Sequence, residues 1–226
     1  MNYFITGTDT HVGKTLISCA LLHGFAAQGR RVVGMKPVAA GCANGGQHED
    51  VRQLRAASNV PASSGQINPY GFAQPVAPLL AAQLVGTSIS FTRIAESYSG
   101  LNVQADVVIV EGVGGFRVPL NDKQDSADLA EQLGLPVILV VGMRLGCLNH
   151  ALLTAEAIAA RGLTLAGWVA NVPDAGMAML DENIAALQQR LNAPLLGVVP
   201  HQARPDAREA ASLLNLTLLE QPETHV

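Results

Sequence analysis

The chain has 226 residues, an apolar fraction of 49%, an aromatic fraction of only 4% and a formal net charge of −4. Because it has no basic block, it lacks the electrostatic footprint of a nucleic-acid-binding protein, and its longest apolar runs, such as 136–141, are too short to span a bilayer. The first residues do not have the pattern of a signal peptide, and the three cysteines form no C-x-x-C pair, which together favour free thiols and a cytoplasmic location.

Short apolar runs alternate with helical patterns along the chain. The apolar runs predict strands at 3–5, 31–35, 106–110, 136–141, 165–170 and 195–199. Helical patterns lie between them at 15–28, 126–133, 148–160 and 181–191. This alternation predicts an α/β fold of the P-loop NTPase type, with a mostly parallel sheet and helices on both faces. Ligands in such sheets bind beyond the carboxyl ends of the strands.

The stretch 41–78 differs from the rest of the chain. It is rich in Gly, Asn, Ser and Pro, with one short helical pattern near 49–57. We interpret it as a long functional loop region and not as a second domain. Since we find no internal repeat and no linker, we expect 1–226 to form a single domain.

The segment between the first strand and the first helix has the pattern of a phosphate-binding loop. It ends in Gly13-Lys14-Thr15, in which the lysine would reach the β- and γ-phosphates and the threonine hydroxyl would bind Mg²⁺. Five residues separate Gly7 from Gly13, one more than in G-x₄-G-K-[ST], and Thr8 stands where the first glycine is expected. The strand–loop–helix context still predicts binding of Mg·ATP, because backbone N–H groups and the helix dipole converge there.

Polar residues near the strand ends are further candidates. Glu111 follows the strand 106–110 and precedes a glycine-rich loop, where phosphate-loop proteins hold Mg²⁺; a solvated glutamate is the alternative. Lys36 follows the second strand and would suit a carbamate or a transferring phosphoryl group, but spacing alone favours an ordinary surface lysine. The segment 48–50 is typical of a polar helix start with Asp50 as a candidate Mg²⁺ ligand, and no matching ligand pair supports zinc. Asp106 lies at the wrong end of its strand for this site.

An ordered set of short motifs covers most of the chain. It comprises Gly7-Thr8-Asp9-Thr10 with 12–15, Lys36-Pro37-Val38, Asn68-Pro69-Tyr70, Val110-Glu111-Gly112 with Gly114-Gly115, Val118-Pro119-Leu120, Leu135-Pro136-Val137, 145–150 and 167–171. Each motif alone is weak, but the ordered set is specific. It resembles the dethiobiotin synthetase family, including the lengthened phosphate loop of that family.

The resemblance implies a ligase of biotin biosynthesis that requires ATP and Mg²⁺. The family converts 7,8-diaminononanoate and CO₂ to dethiobiotin, with ADP and phosphate as the other products, through a carbamate and a carbamic–phosphoric anhydride. The resemblance also implies a homodimer with the substrate at the subunit interface, and no nucleic-acid or membrane partner.

The resemblance further implies residue roles. Lys14 and Lys36 would be catalytic, Thr15, Asp50 and Glu111 would hold Mg²⁺, and the Asn171 amide would recognise adenine N6 and N7. The nucleotide site would comprise His11, Val12, Gly13, Lys14, Thr15, Leu16, Asp50, Glu111, Gly112, Val113, Gly114, Asn171, Val172, Pro200, His201 and Gln202. The diamine site would comprise Thr10, Lys36, Ala40, Gly146, Cys147, Leu148 and Asn149.

Three of these expectations carry a qualification. The segment 146–149 would bind the substrate carboxylate through free helix N–H groups of the partner chain, whereas an ordinary capped helix is the alternative. His11 stands where family members often carry Glu, and Ala40 stands where a Ser or Thr hydroxyl is common.

Other classes of protein use similar loops. Switch ATPases of the partition or septum-placement type carry a second lysine five residues before the loop lysine, where this chain has Asp9, and often end in a membrane helix, unlike 221–226. The ATP-dependent amidases of cobalamin synthesis need a glutaminase domain with a nucleophilic cysteine. Nucleotide kinases need an arginine-rich lid, and only Arg52 and Arg55 cluster here. A synthetase is therefore favoured over all three.

Overall fold

The fold is an α/β sandwich whose elements alternate along the chain. The computed structural model describes residues 1–42 and 47–219. In chain order the elements are β1 (Asn2–Gly7), α1 (Lys14–Ala27), β2 (Val32–Met35), β3 (Val38–Ala40), α2 (Glu49–Ala57), α3 (Ser64–Ile67), β4 (Tyr70–Phe72), α4 (Pro78–Leu84), α5 (Phe91–Asn102), β5 (Val107–Glu111), α6 (Ser126–Leu133), β6 (Val137–Gly142), α7 (Cys147–Ala160), β7 (Leu165–Asn171), α8 (Leu180–Gln188), β8 (Leu195–Val199), α9 (Ala207–Ser212) and a 3₁₀ turn (Leu216–Leu219).

Six of the strands form one parallel sheet in the order β2-β5-β1-β6-β7-β8. The first strand lies in the middle, so chain order reverses beside it, which is the position where open α/β sheets bind ligands. β3 and β4 pair separately, in parallel, with Val38 opposite Tyr70. The predicted fold class is confirmed.

The core lies on both faces of the sheet. Because side chains alternate along a strand, Phe4 and Val108 enter one apolar layer while Ile5 and Ile109 enter the other, beneath α1. A third cluster surrounds the fully buried Trp168 between the sheet and helices α7 and α8. Burial on both faces explains why the strands are continuous apolar runs without a polar alternation.

Several elements differ from the sequence prediction. The strand predicted at 106–110 is β5 at Val107–Glu111, so Asp106 lies just before the strand and Glu111 is its last residue. Within 41–78 the sequence predicted one helix, whereas the structure also contains α3 and β4, and no element was predicted for 79–105, which contains most of α4 and all of α5. Residues 43–46 of that predicted loop and the tail 221–226 lie outside the described residues.

No helix within 1–42 and 47–219 has the length and hydropathy of a membrane span.

Candidate active site

The phosphate loop runs from the end of β1 to the first turn of α1. Gly13 is the N-cap of α1 with φ +91°, and the first turn of α1 contains no acidic side chain that would compete for its N–H groups. His11 also has a positive φ of 59°, which is uncommon for a residue with a Cβ. Since no side chain caps this helix start, its first N–H groups are left for a bound anion.

Lys36 is the centre of a buried charged cluster. Its ammonium lies 2.6 Å from Glu111 Oε1 and 3.1 Å from Asp50 Oδ2, and it donates to the carbonyl of Gly112 at 3.0 Å. Its side chain is 4% exposed, and that of Glu111 is 0% exposed. The surface position that spacing alone favoured for Lys36 is therefore wrong, and so is a solvated Glu111. Strand β2 pairs with β5 in parallel, and this pairing brings the two residues together.

The cluster shifts the pKa of several groups. Burial would lower the pKa of Lys36, but the charges of Glu111 and Asp50 outweigh it, so the pKa is raised and the group stays an ammonium. Burial also tends to raise the pKa of Asp50, but Lys36 lowers it overall. Lys14 is different: burial and the nearby Lys36 charge lower its pKa to about 8. An anion bound beside Lys14 would oppose both effects.

Thr15, Asp50 and Glu111 suit Mg²⁺, which prefers oxygen ligands. The Thr15 hydroxyl donates to Glu111 Oε1 at 2.9 Å, and the cluster joins Asp50 to the same carboxylate through Lys36. The second carboxylate oxygen, Oε2 of Glu111, is buried and has no hydrogen-bond partner within the described chain. A buried, unpaired carboxylate oxygen is costly, and a bound cation would satisfy it. Within 1–42 and 47–219 no group of three or more His, Cys, Asp or Glu side chains is placed to hold a metal ion, so a Mg²⁺ site here would combine the Thr15 hydroxyl with two carboxylates.

A cleft of about 840 Å³ opens beside this cluster. It is lined by residues from the phosphate loop, the segment from Lys36 to the end of β3, the start of α2, the approach to α4, the end of β5 and the loop after β5. These are Asp9, Thr10, His11, Gly13, Lys14, Thr15, Lys36, Ala39, Ala40, His48, Asp50, Pro75, Val76, Ala77, Pro78, Glu111, Val113, Gly114, Gly115 and Val118. One wall is thus charged and the other apolar. This combination suits a ligand with a reactive polar end and an aliphatic chain.

A second pocket of about 200 Å³ lies on the other side of the phosphate loop. It is lined by His11, Gly13, Leu16, Asn171, Val172, Pro173, Pro200, His201, Gln202 and Pro205. The Asn171 amide donates to the carbonyl of Val12 at 2.8 Å, so this side chain also supports the loop. Its other N–H and its carbonyl oxygen remain available for a base edge. His11 lines both pockets, so the two are adjacent across the loop.

The structure does not bring all of the predicted residues to these pockets. Val12 and Gly112 line neither pocket; Val12 is buried and supports the loop through its carbonyl, and the Gly112 carbonyl accepts a hydrogen bond from the Lys36 ammonium. The segment Gly146–Asn149 also lies outside both pockets of its own chain. It is a helix start, as predicted: Gly146 is the N-cap of α7 with φ +94° and supplies no side-chain cap.

Sequence reasoning missed other residues near the site. Pro75, Val76, Ala77 and Pro78 form the apolar wall but fell at the end of a stretch interpreted only as a loop. Arg144 pairs with Asp9 at the rim of the cleft. Its position two residues after β6 was the available signal, because polar residues that follow parallel strands lie near the site.

The fold and site together define a class: the chain is a P-loop nucleotide-binding protein of the parallel-sheet type. A family model described as an AAA domain matches residues 1–208. The septum site-determining protein MinD of Pyrococcus horikoshii, solved with Mg-ADP, superposes with a TM-score of 0.53 over 98% of this chain and 90% of that one. Its sequence identity is 16%, so the likeness shows the fold alone.

Comparison with curated proteins is more specific. The chain is 58% identical over 217 residues to the ATP-dependent dethiobiotin synthetase BioD of Aromatoleum aromaticum, covering 95% of this chain and 96% of that protein. It is 56% identical to the BioD of Nitrosospira multiformis, covering 95% and 94%. The chain belongs to the family of ATP-dependent dethiobiotin synthetases.

Proposed function

We propose that this chain is a dethiobiotin synthetase that carboxylates 7,8-diaminononanoate with CO₂ and closes the ureido ring at the expense of ATP. The observation that carries the proposal is the buried Lys36 ammonium between Glu111 and Asp50, beside the phosphate loop and facing a cleft with an apolar wall. A cation held there neutralises anionic groups that meet at one point. The family membership supplies the chemical identity of those groups.

The reaction needs two anions to be held together. One amine of the substrate takes up CO₂ and releases a proton, which gives a carbamate. A carbamate oxygen attacks the γ-phosphorus of ATP, the bond from that phosphorus to the bridging oxygen breaks, and ADP leaves. The second amine then attacks the carbamoyl carbon, the bond from that carbon to the phosphate oxygen breaks, and phosphate leaves with the electron pair as the ring closes and the amine loses a proton.

The two lysines would neutralise different negatively charged groups of the reactants. Lys14 lies at the start of α1, where it would bind the β- and γ-phosphates. Lys36 is held beside the cleft by three oxygen partners, and it would exchange one of them to donate to the carbamate or to the transferring phosphoryl group. Thr10 and Ala40, on the same cleft, would contact the diamine. Positioning of the two reactants accounts for much of the expected acceleration.

Thr15, Asp50 and Glu111 would hold Mg²⁺. When bound, the ion supplies positive charge to the phosphate oxygens during transfer.

The second pocket would receive the nucleotide base, with Asn171 recognising adenine and with Leu16, Val172, Pro200, His201 and Gln202 around it. Val113 and Gly114, in the loop after β5, would line the cleft beside the phosphates of the nucleotide.

We further propose a homodimer in which the substrate lies at the interface, with residues 1–226 as one cytoplasmic synthetase domain. Leu145 and Leu153, before and within α7, are 102% and 56% exposed and lie close in sequence to the helix start that this dimer would place in the partner's cleft. The uncapped start of α7, at Gly146–Asn149, would bind the substrate carboxylate in the partner's cleft. The three cysteines of the chain are free and buried, which is typical of a reducing compartment.

Sedimentation velocity tests the dimer. Leu153→Glu should give a monomer, because a charge on a buried interface is costly, while Leu84→Glu, at a side chain 68% exposed on α4, should leave the dimer intact. A monomeric wild-type chain at micromolar concentration would overturn this part of the proposal.

The activity itself is tested with an isotope. The wild-type protein is incubated with Mg·ATP, 7,8-diaminononanoate and ¹³C-bicarbonate, and the products are examined by mass spectrometry. We expect one ¹³C atom in a cyclic urea product, and no such product from Lys36→Met. Absence of labelled product from the folded wild-type protein would refute the proposed function.

A further inference from the structure

Asp9 of the phosphate loop makes three separate contacts. Its Oδ1 accepts from the backbone N–H of Thr10 at 2.7 Å, and its carbonyl accepts from the Lys14 ammonium at 2.9 Å. Its Oδ2 forms an ion pair with Arg144, a residue 135 positions away in sequence. Asp9 therefore touches two groups of the proposed site, and Arg144 touches Asp9.

The sheet explains why these distant residues meet. β1 and β6 are neighbours, with Gly7 opposite Val140, and the N–H of Thr8 donates to the carbonyl of Val140 at 3.0 Å. The Thr8 hydroxyl also accepts from the N–H of Gly142 at 3.3 Å. The two segments thus leave the sheet side by side. Arg144 also lies at the turn into α7, since its carbonyl accepts from the N–H of Cys147 at 2.9 Å.

We propose that Arg144 is a positioning residue for the phosphate loop: by holding the Asp9 carboxylate it fixes the Asp9–Thr10 peptide and the carbonyl that holds Lys14. The inference rests on the proposed function, because it concerns the same nucleotide site. It assigns to Arg144 an effect on Mg·ATP binding without direct contact with the nucleotide.

The charge states are consistent with this role. The hydrogen bond from Thr10 lowers the pKa of Asp9, and the Arg144 charge adds to the effect against the cost of burial, so the carboxylate is ionised at neutral pH. Arg144 and Asp9 are each 47% exposed. Exposed ion pairs contribute little to global stability, so loss of this pair should alter the site far more than the free energy of unfolding.

The ion pair between Arg31 and Asp106 provides a matched control. Its side chains are 62% and 35% exposed, and it lies at the amino-terminal end of β5, opposite the cleft. Arg31→Gln removes the same chemical group as Arg144→Gln from a pair of similar exposure.

The experiment measures binding of Mg²⁺ with a non-hydrolysable ATP analogue by calorimetry, which needs neither the diamine nor turnover. We expect Arg144→Gln and Asp9→Asn each to weaken binding about tenfold, and the double variant to be no weaker than Asp9→Asn alone, because residues in one network are not additive. Arg144→Lys should recover part of the affinity, since it keeps the charge but not the planar fork. Arg31→Gln should bind as the wild type does.

Two results would overturn the proposal. One is unchanged binding in Arg144→Gln. The other is additive loss in the double variant, which would mean that Arg144 acts independently of Asp9. If the wild type binds the analogue but makes no labelled ring product, the proposed synthetase activity is refuted. The role of Arg144 is then still decided by the binding data alone.

Discussion

The ammonium of Lys36 lies among three oxygen atoms at the end of a strand, and two of them belong to carboxylates. Sequence reasoning identified this residue, Asp50 and Glu111 as candidates because each is polar and lies near a strand end or a helix start. It could not predict that Lys36 is buried, because burial depends on the pairing of β2 with β5, which joins residues 75 positions apart in sequence. The sequence around one lysine does not indicate which distant carboxylates will pair with it.

Removal of Lys36 should affect stability and activity separately. Lys36→Met leaves two carboxylates without their cation, and breaking a buried pair costs about 3–5 kcal/mol, so the urea midpoint should fall. The double variant Lys36→Met with Glu111→Gln removes the fully buried one of the two unpaired charges and should recover part of that loss without recovering ring formation. Recovery of activity in the double variant would contradict a catalytic role for Lys36.

The pair between Arg31 and Asp106 should make stability depend on pH. Hydrogen bonds from Arg31 lower the Asp106 pKa from 3.8 to about 2 in the folded protein. A depressed carboxylate pKa stabilises the fold fully above the unfolded value, and this contribution is lost as the pH falls from 3.8 to about 2. The difference in urea midpoint between wild type and Asp106→Asn should therefore shrink across this interval. A difference that grows on acidification would contradict the assignment.

The phosphate loop and helix α1 act as one element, and Gly13 is where they join. With φ at +91°, Gly13 adopts a conformation that other residues rarely adopt, and a Cβ there would lie 2.2 Å from Asn171 Nδ2. Sequence reasoning placed Gly13 in the loop by its motif. It assigned Asn171 only to adenine, because the hydrogen bond from its amide to Val12 depends on how β7 is placed beside β6.

Gly13→Ala should abolish nucleotide binding, because the added Cβ displaces Asn171 and the loop with it. The backbone strain alone should lower the free energy of unfolding by about 1–2 kcal/mol. Gly29→Ala is the control, since Gly29 has φ +80° and a Cβ added there would meet nothing within 4 Å. It should show similar destabilisation with unchanged binding of Mg·ADP in calorimetry. Wild-type affinity in Gly13→Ala would refute the loop geometry.

Across the whole molecule, the best-predicted features are the central strands. Runs such as 136–141 are apolar throughout because both faces of the sheet are covered, and this pattern is visible without any knowledge of neighbours. The three-residue strands β3 and β4 were missed, since they are too short for a periodic signal. Helix α5 was missed although Phe91, Ile94 and Leu101 follow a helical spacing, because Ser, Thr and Gly lower its helix propensity. Strand order likewise has no local signal in the sequence.

The dimer-dependent part of the site illustrates the same limit. The motif 145–150 pointed to substrate binding, yet within one chain Gly146–Asn149 lies outside the cleft. In the proposed dimer the start of α7 of one chain would reach the cleft of the other, and neither a single sequence nor a single chain contains that arrangement.

The central claim is that cleavage of ATP to ADP and phosphate is coupled to the diamine and CO₂. The most direct test is the rate of phosphate release from Mg·ATP with and without 7,8-diaminononanoate and bicarbonate, with Lys14→Ala as the control. We predict release only when both additions are present, one phosphate for each ring formed, and none in Lys14→Ala. Release by the wild type that is independent of the diamine would contradict the claim, and would direct attention first to His11 and Ala40, the two positions at which the resemblance led us to expect other residues.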